Sequence, residues 1–188
     1  MTSVNPKYII ALIVVVAFVG VVKVMNPDKK YSTREYWQSA TLESVSEVPD
    51  RALKASNKNG SVLMWAAIGA SDPRIIRALV ERGAQVNESD LIFSGTPITG
   101  AAGYSRNPEI IRELVNLGAD VNKKVNNDET ALLIAAQYNT NKGIIETLVS
   151  LGAKLDDKTA QGKSALDLAK ENNNKTAEEA LMVLMNKN

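Results

Sequence analysis

The side chains able to do chemistry in this chain are carboxylates, amines, guanidinium groups and hydroxyls. It has 21 Asp/Glu, 22 Lys/Arg and five tyrosines, but neither histidine nor cysteine. That inventory excludes Ser-His-Asp and Cys-His nucleophile systems, His/Cys zinc sites and disulfides. Paired carboxylates could still work as general acid and base, yet none sits in a recognisable catalytic setting. Asp156-Asp157 is a solvated pair in a loop, and no clustered acidic loop offers a metal site. The formal charge of +1 gives no basic footprint for nucleic acid. The residue types therefore point to no cofactor and no metal, and not to an enzyme.

The elements that would position binding residues are legible from a period. A serine or threonine stands at Ser61, Thr96, Thr130 and Ser164, spaced 35, 34 and 34 residues apart. A Gly-Ala pair stands at Gly83-Ala84, Gly118-Ala119 and Gly152-Ala153, again 35 and 34 apart. A fixed period of this length marks a stacked repeat array. Within the copy that opens at Thr96, Pro97 and Pro108 fall in the first turns of two helices, where a missing N–H costs nothing. Ala101-Ala102 keep one face small. Ile110, Ile111, Leu114 and Val115 form the apolar stripe of a core-facing helix, and Gly118 stops it. The stripe recurs as Ile75, Ile76, Leu79, Val80 and as Ile144, Ile145, Leu148, Val149.

These residues resemble the ankyrin repeat. Thr96-Pro97-Ile98-Thr99-Gly100-Ala101-Ala102 matches the family's TPLHxAA motif, and Gly118 to Asn122 its GADVN motif. The resemblance implies an all-α solenoid of helix-turn-helix units with finger loops, binding proteins through its concave face. The family's motif histidine is replaced by Met64, Thr99, Leu133 and Asp167, so its usual inter-repeat hydrogen bonding must be made otherwise. The turns SDPRII and RNPEII look like a variant common in bacterial ankyrin proteins.

On this reading the chain divides into an N-tail (1–7), an anchor helix (8–25), a polar link (26–32) and a repeat domain (33–188). The domain comprises a degenerate N-terminal cap repeat (33–60), full repeats 61–95, 96–129 and 130–163, and a C-terminal cap repeat (164–188). In the degenerate unit, Tyr36, Trp37 and Ala40 form the first helix, Leu42, Val45 and Val48 the second, and Ala52 to Asn59 the outgoing finger.

The anchor is the longest apolar run. Tyr8 to Val22 has no polar side chain beyond the Tyr8 hydroxyl. The 18 residues from Tyr8 to Met25 make about 27 Å of helix, enough for one transmembrane span. Tyr8, Ile9, Ile10, Leu12, Ile13, Phe18 and Val22 would contact the lipid bilayer, with Lys23 snorkelling to its surface. No A-x-A-like cleavage site follows, which favours an uncleaved anchor, as in a bacterial inner membrane, over a signal peptide. The basic residues after the span favour a cytoplasmic domain, while the likeness to exported bacterial proteins favours a periplasmic one.

The resemblance places Ile68 and Gly69, Gly103 and Tyr104, Gln137 and Tyr138, and Glu171 and Asn172 at the family's variable surface. Tyr104 and Tyr138 should lie side by side there, either to grip a partner or to fill space between first helices. Trp65, Ile134 and Leu168 occupy equivalent places, where core packing outweighs a binding strip. The finger before Thr96 is apolar where a polar turn is expected. Leu91, Ile92 and Phe93 either anchor a partner or fold back onto Trp65. The expected function is a membrane-tethered module that scaffolds, assists or inhibits a partner protein, such as an exported enzyme (a catalase, for instance) or a toxin. The alternatives are a small accessory subunit held by its anchor helix, and a carboxylate-dependent enzyme.

Overall fold

A computed structural model describes residues 27–53, 61–89 and 95–186. Eleven α-helices lie among the described residues: α1 Arg34–Gln38, α2 Leu42–Ser46, α3 Asp50–Leu53, α4 Val62–Gly69, α5 Pro73–Glu81, α6 Pro97–Tyr104, α7 Pro108–Asn116, α8 Ala131–Tyr138, α9 Lys142–Ser150, α10 Ala165–Glu171 and α11 Lys175–Met185. No β-strand forms among these residues. The nearest thing to one is an isolated antiparallel bridge between Lys158 and Ser164.

The helices stack in two layers. Helices α1, α4, α6, α8 and α10 pack side by side in one, and α2, α5, α7, α9 and α11 in the other. Capping residues define the outer layer. Asp72, Asn107, Asn141 and Asn174 each accept a backbone N–H at the start of α5, α7, α9 and α11, satisfying donors that helix geometry leaves open. Ile75, Ile76, Leu79, Ile110, Ile111, Leu114, Ile144, Ile145 and Leu148 are all fully buried between the layers, while Val80, Val115 and Val149 are half-buried against the same core. The paired alanines of α4, α6 and α8 are buried as well, which lets neighbouring first helices approach closely.

Gly118 has φ +95°, and a Cβ there would meet nothing within 4 Å. The left-handed backbone alone therefore calls for glycine. It lets the Ala119 N–H reach back to the Leu114 carbonyl at 2.9 Å.

Asparagines replace the hydrogen bonds that the missing motif histidines leave unmade. The Asn139 carboxamide donates to the Ala102 and Ser105 carbonyls (2.9 and 3.0 Å). Asn174 donates to the Ala136 and Asn139 carbonyls (3.0 and 2.8 Å). At the far end of the outer layer, Asn87 donates to the Gly118 carbonyl and Asn122 to that of Gly152. Thr99 and Asp167, at the histidine position itself, act within their own repeats: each accepts the backbone N–H three residues earlier.

The N-terminal unit departs from expectation in three ways. Residues 27–32, read as a slack link, form a 3-10 turn folded onto the domain. Tyr31 is buried there, its hydroxyl donates to the Glu47 carbonyl, and its own carbonyl accepts from the Trp37 indole. Asp28 adds a two-bond pair with Arg51. Second, the expected finger from Ala52 opens instead with α3, which buries Ala52 and Leu53 against the core. Third, α1 ends at Gln38 and α2 at Ser46, so Ala40 and Val48 fall outside the two expected helices, and Leu42 is exposed. With no Gly-Ala stop, the unit is held by Arg82, whose guanidinium donates to the Val45 and Val48 carbonyls and to Asp50. At the other end, Leu181 is fully buried, whereas Met182, Val183 and Met185 are exposed on α11.

Among the described residues no helix is long and apolar enough to cross a membrane. The anchor expected over 8–25, with Tyr8, Ile9, Ile10, Leu12, Ile13, Phe18, Val22 and Lys23, lies outside the described residues. So do Leu91, Ile92 and Phe93.

Candidate protein-interaction surface

Helices α6 and α8 end in Tyr104 and Tyr138, one repeat apart and on the same side of the stack. Their rings stack with centroids 5.8 Å apart and planes 22° from parallel. Both stay well exposed, at 43% and 50%. The arrangement therefore fills no void between helices. Two large amphipathic surfaces stand in solvent, each supported by the other.

The row of rings begins at α6 for a steric reason. In α4 the equivalent position is Gly69, where a Cβ would stand 2.7 Å from the Arg34 carbonyl oxygen and 2.9 Å from the Trp37 Cβ. Helix α1 packs there and leaves no room for any side chain.

Beside the tyrosines opens a groove of about 380 Å³. Met64, Trp65, Ile68 and Gly100 line it from α4 and α6, and Ile134 and Tyr138 from α8. Gly95, Val125, Asn126 and Glu129 come from the fingers, and Arg34 from α1. Its size lies at the low end of the range of ligand pockets, and its wall is apolar with a few polar groups. Trp65 is half-buried and packs against the core while facing the groove. Ile134 does the same, whereas its equivalent Leu168 is simply buried.

Two expected contact residues are placed differently. Ile68, expected at the surface, is only 7% exposed and contributes to the groove wall from within the core. Gln137 faces away from this groove into a second, more polar cleft with Thr140 and the turn before α11. Its Oε1 is buried there without a hydrogen-bond partner.

Sequence reasoning missed Arg34 and Glu129, the two charged residues of the groove. Arg34 Nη2 donates to the Tyr104 carbonyl at 3.2 Å. Burial pushes the Glu129 carboxyl above the ordinary glutamate range. Burial also raises the Tyr104 phenol, with further contributions from Tyr138 and Glu129. A signal for Glu129 was available: Gly95, Glu129 and Lys163 each precede the residue that opens a first helix, and the first two of them line the groove. Among the described residues, no group of three or more His, Cys, Asp or Glu side chains could hold a metal ion.

Two layers of helix pairs, closed by left-handed glycines and presenting side chains from successive first helices, define a repeat solenoid of the protein-binding kind. Residues 98–188 match the family model for ankyrin repeats, described as three copies, and the chain is an ankyrin-repeat protein. No curated protein matches the chain. Ankyrin repeats are protein–protein interaction modules, and the array described above is one.

Proposed function

We propose that this protein is a membrane-tethered, non-catalytic binding module that holds a partner protein in the groove beside Tyr104 and Tyr138. One observation carries the reading: two tyrosines stay stacked and exposed at the mouth of an apolar groove. Tyrosine is over-represented at binding hot spots because it buries a large area with few rotors and keeps a polar tip. Tethering rests on the apolar run from Tyr8 to Met25 in the sequence. Since the fold takes up the chain at Pro27, such an anchor holds the groove close to the bilayer. Leu91, Ile92 and Phe93 enter the reading on their sequence alone, as apolar residues in a loop.

The test is affinity purification from membranes with wild type and a Tyr104→Ala/Tyr138→Ala pair, followed by titration of each recovered protein against both. Loss of about 1.4–4 kcal/mol in affinity for one direct binder, with unchanged thermal stability, supports the groove. Equal affinity for every direct binder removes it. Protease accessibility in intact spheroplasts reads the side of the membrane on which the domain lies.

A further inference from the structure

We infer that the groove is built to receive a lysine or arginine side chain of the partner protein, with Glu129 as its counter-charge. This rests on the groove being the partner site, and it specifies the chemistry of what enters.

Glu129 is the sole carboxylate among the described residues lining the groove. Its side chain makes no hydrogen bond or ion pair among the described residues, and burial disfavours its charged form. A partly desolvated carboxylate with no partner is a cost that folding alone gives no reason to bear. The neighbouring repeat shows the contrast. There the equivalent residue is Lys163, and its Nζ is paired with Glu171 at 2.6 Å. One repeat earlier the position is Gly95, which carries no charge. The charge left unsatisfied at this column is the one that opens on the groove.

The groove's own cation does not answer it. Arg34 Nη2 donates to the Tyr104 backbone carbonyl at 3.2 Å, its Nε is buried without a hydrogen-bond partner and so closed to an occupant, and the side chain forms no ion pair with Glu129 within 4 Å. The remaining surfaces suit a long basic side chain. Trp65, Ile68 and Ile134 offer apolar wall to a methylene stem. The faces of Tyr104 and Tyr138 add attraction for a cation. An acidic occupant would meet a like charge, and an apolar one would bury Glu129 further without pairing it. Charge complementarity thus selects a basic residue flanked by apolar ones.

The test uses the full-length chain and four blocked pentapeptides, Ac-Ala-Leu-X-Leu-Ala-NH2, with X lysine, arginine, norleucine or glutamate. Trp65 fluorescence reports binding against the constant background of buried Trp37. The lysine and arginine peptides should bind about tenfold tighter than the norleucine peptide, and tighter still than the glutamate one, as for a charge-assisted contact. Glu129→Gln should abolish that preference, and Glu129→Asp should keep part of it. Circular dichroism checks that both variants are folded. If all four peptides bind alike and Tyr104→Ala/Tyr138→Ala weakens them, the groove stands and the cation inference falls. Retention of the preference in Glu129→Gln also overturns the inference. If no peptide perturbs Trp65, both the inference and the groove reading fall.

Discussion

The side-chain amide of Asn174 donates to the backbone carbonyl of Asn139 at 2.8 Å, and Asn139 makes the same kind of bond one repeat further back, to Ser105 at 3.0 Å. Both asparagines are buried, and each also reaches the carbonyl near the end of the preceding first helix. The ladder joins consecutive repeats at carbonyls that a helix C-terminus leaves without partners.

Asn139→Ala therefore strands two buried acceptors at once. The expected cost is on the order of 2–4 kcal/mol, because a buried group left unsatisfied bears its full desolvation penalty. Urea denaturation followed by circular dichroism measures it. A loss under about 0.5 kcal/mol, the range of ordinary surface changes, would show that water replaces the amide freely.

Gly118→Ala tests the repeat closure. No neighbouring atom obstructs a Cβ at this glycine, so the whole effect comes from forcing alanine into the left-handed region, about 1–2 kcal/mol. The same denaturation series reads it, and a neutral result would mean that the turn relaxes to another conformation.

Gly69→Ala should act differently, by steric displacement. The new Cβ would press on the Arg34 carbonyl and the Trp37 Cβ, so α1 must move off α4. Overpacking of this kind costs about 1–3 kcal/mol. Amide exchange is expected to quicken in 34–53 while 130–186 stays protected, since distant repeats do not share contacts. Uniform quickening across the array would contradict a local origin.

Glu129 gives a pH signature. Its carboxyl in the folded protein lies above the ordinary glutamate range because of burial. The folded state thus holds the proton more tightly than the unfolded chain, and stability from this group is lost as pH rises through the folded-state value. At neutral pH, Glu129→Gln should raise the melting temperature, and the gain should vanish in acid, below about pH 4. Affinity for a basic peptide should run the opposite way, growing as the carboxylate ionises. The other titratable groups lining the groove are Arg34, Tyr104 and Tyr138. A variant no more stable than wild type at pH 7 would remove the strained carboxylate from the account.

Much of this architecture is legible in the sequence because its signals are local. Pro97, Ala101, Pro108, Ile110 and Gly118 each state a turn, a small face, a stripe or a stop, and the 34-residue spacing repeats most of these statements. The side-by-side tyrosines follow from the same period. What escapes is what depends on contact between distant residues. Arg34 reaches the groove only because α1 packs on Gly69, and Ile68 is buried because it packs over Gly100 of α6. Glu129 looks like any polar finger residue until the fold sets it in the same groove as Trp65, Ile134 and Tyr104. Residues 27–32 carry three charges and a proline, the composition of a linker, and the burial of Tyr31, edge-on to Tyr36, together with the Asp28–Arg51 pair makes them part of the fold.

That short turn has a mechanical consequence. A chain entering the domain at Pro27 meets no swivel: Tyr31 is pinned to Glu47, Trp37 to Tyr31, and Asp28 to Arg51. Pull or twist applied at Asp28 passes straight into the first helices. On the tethered reading proposed above, the direction in which the groove points would be set at this turn.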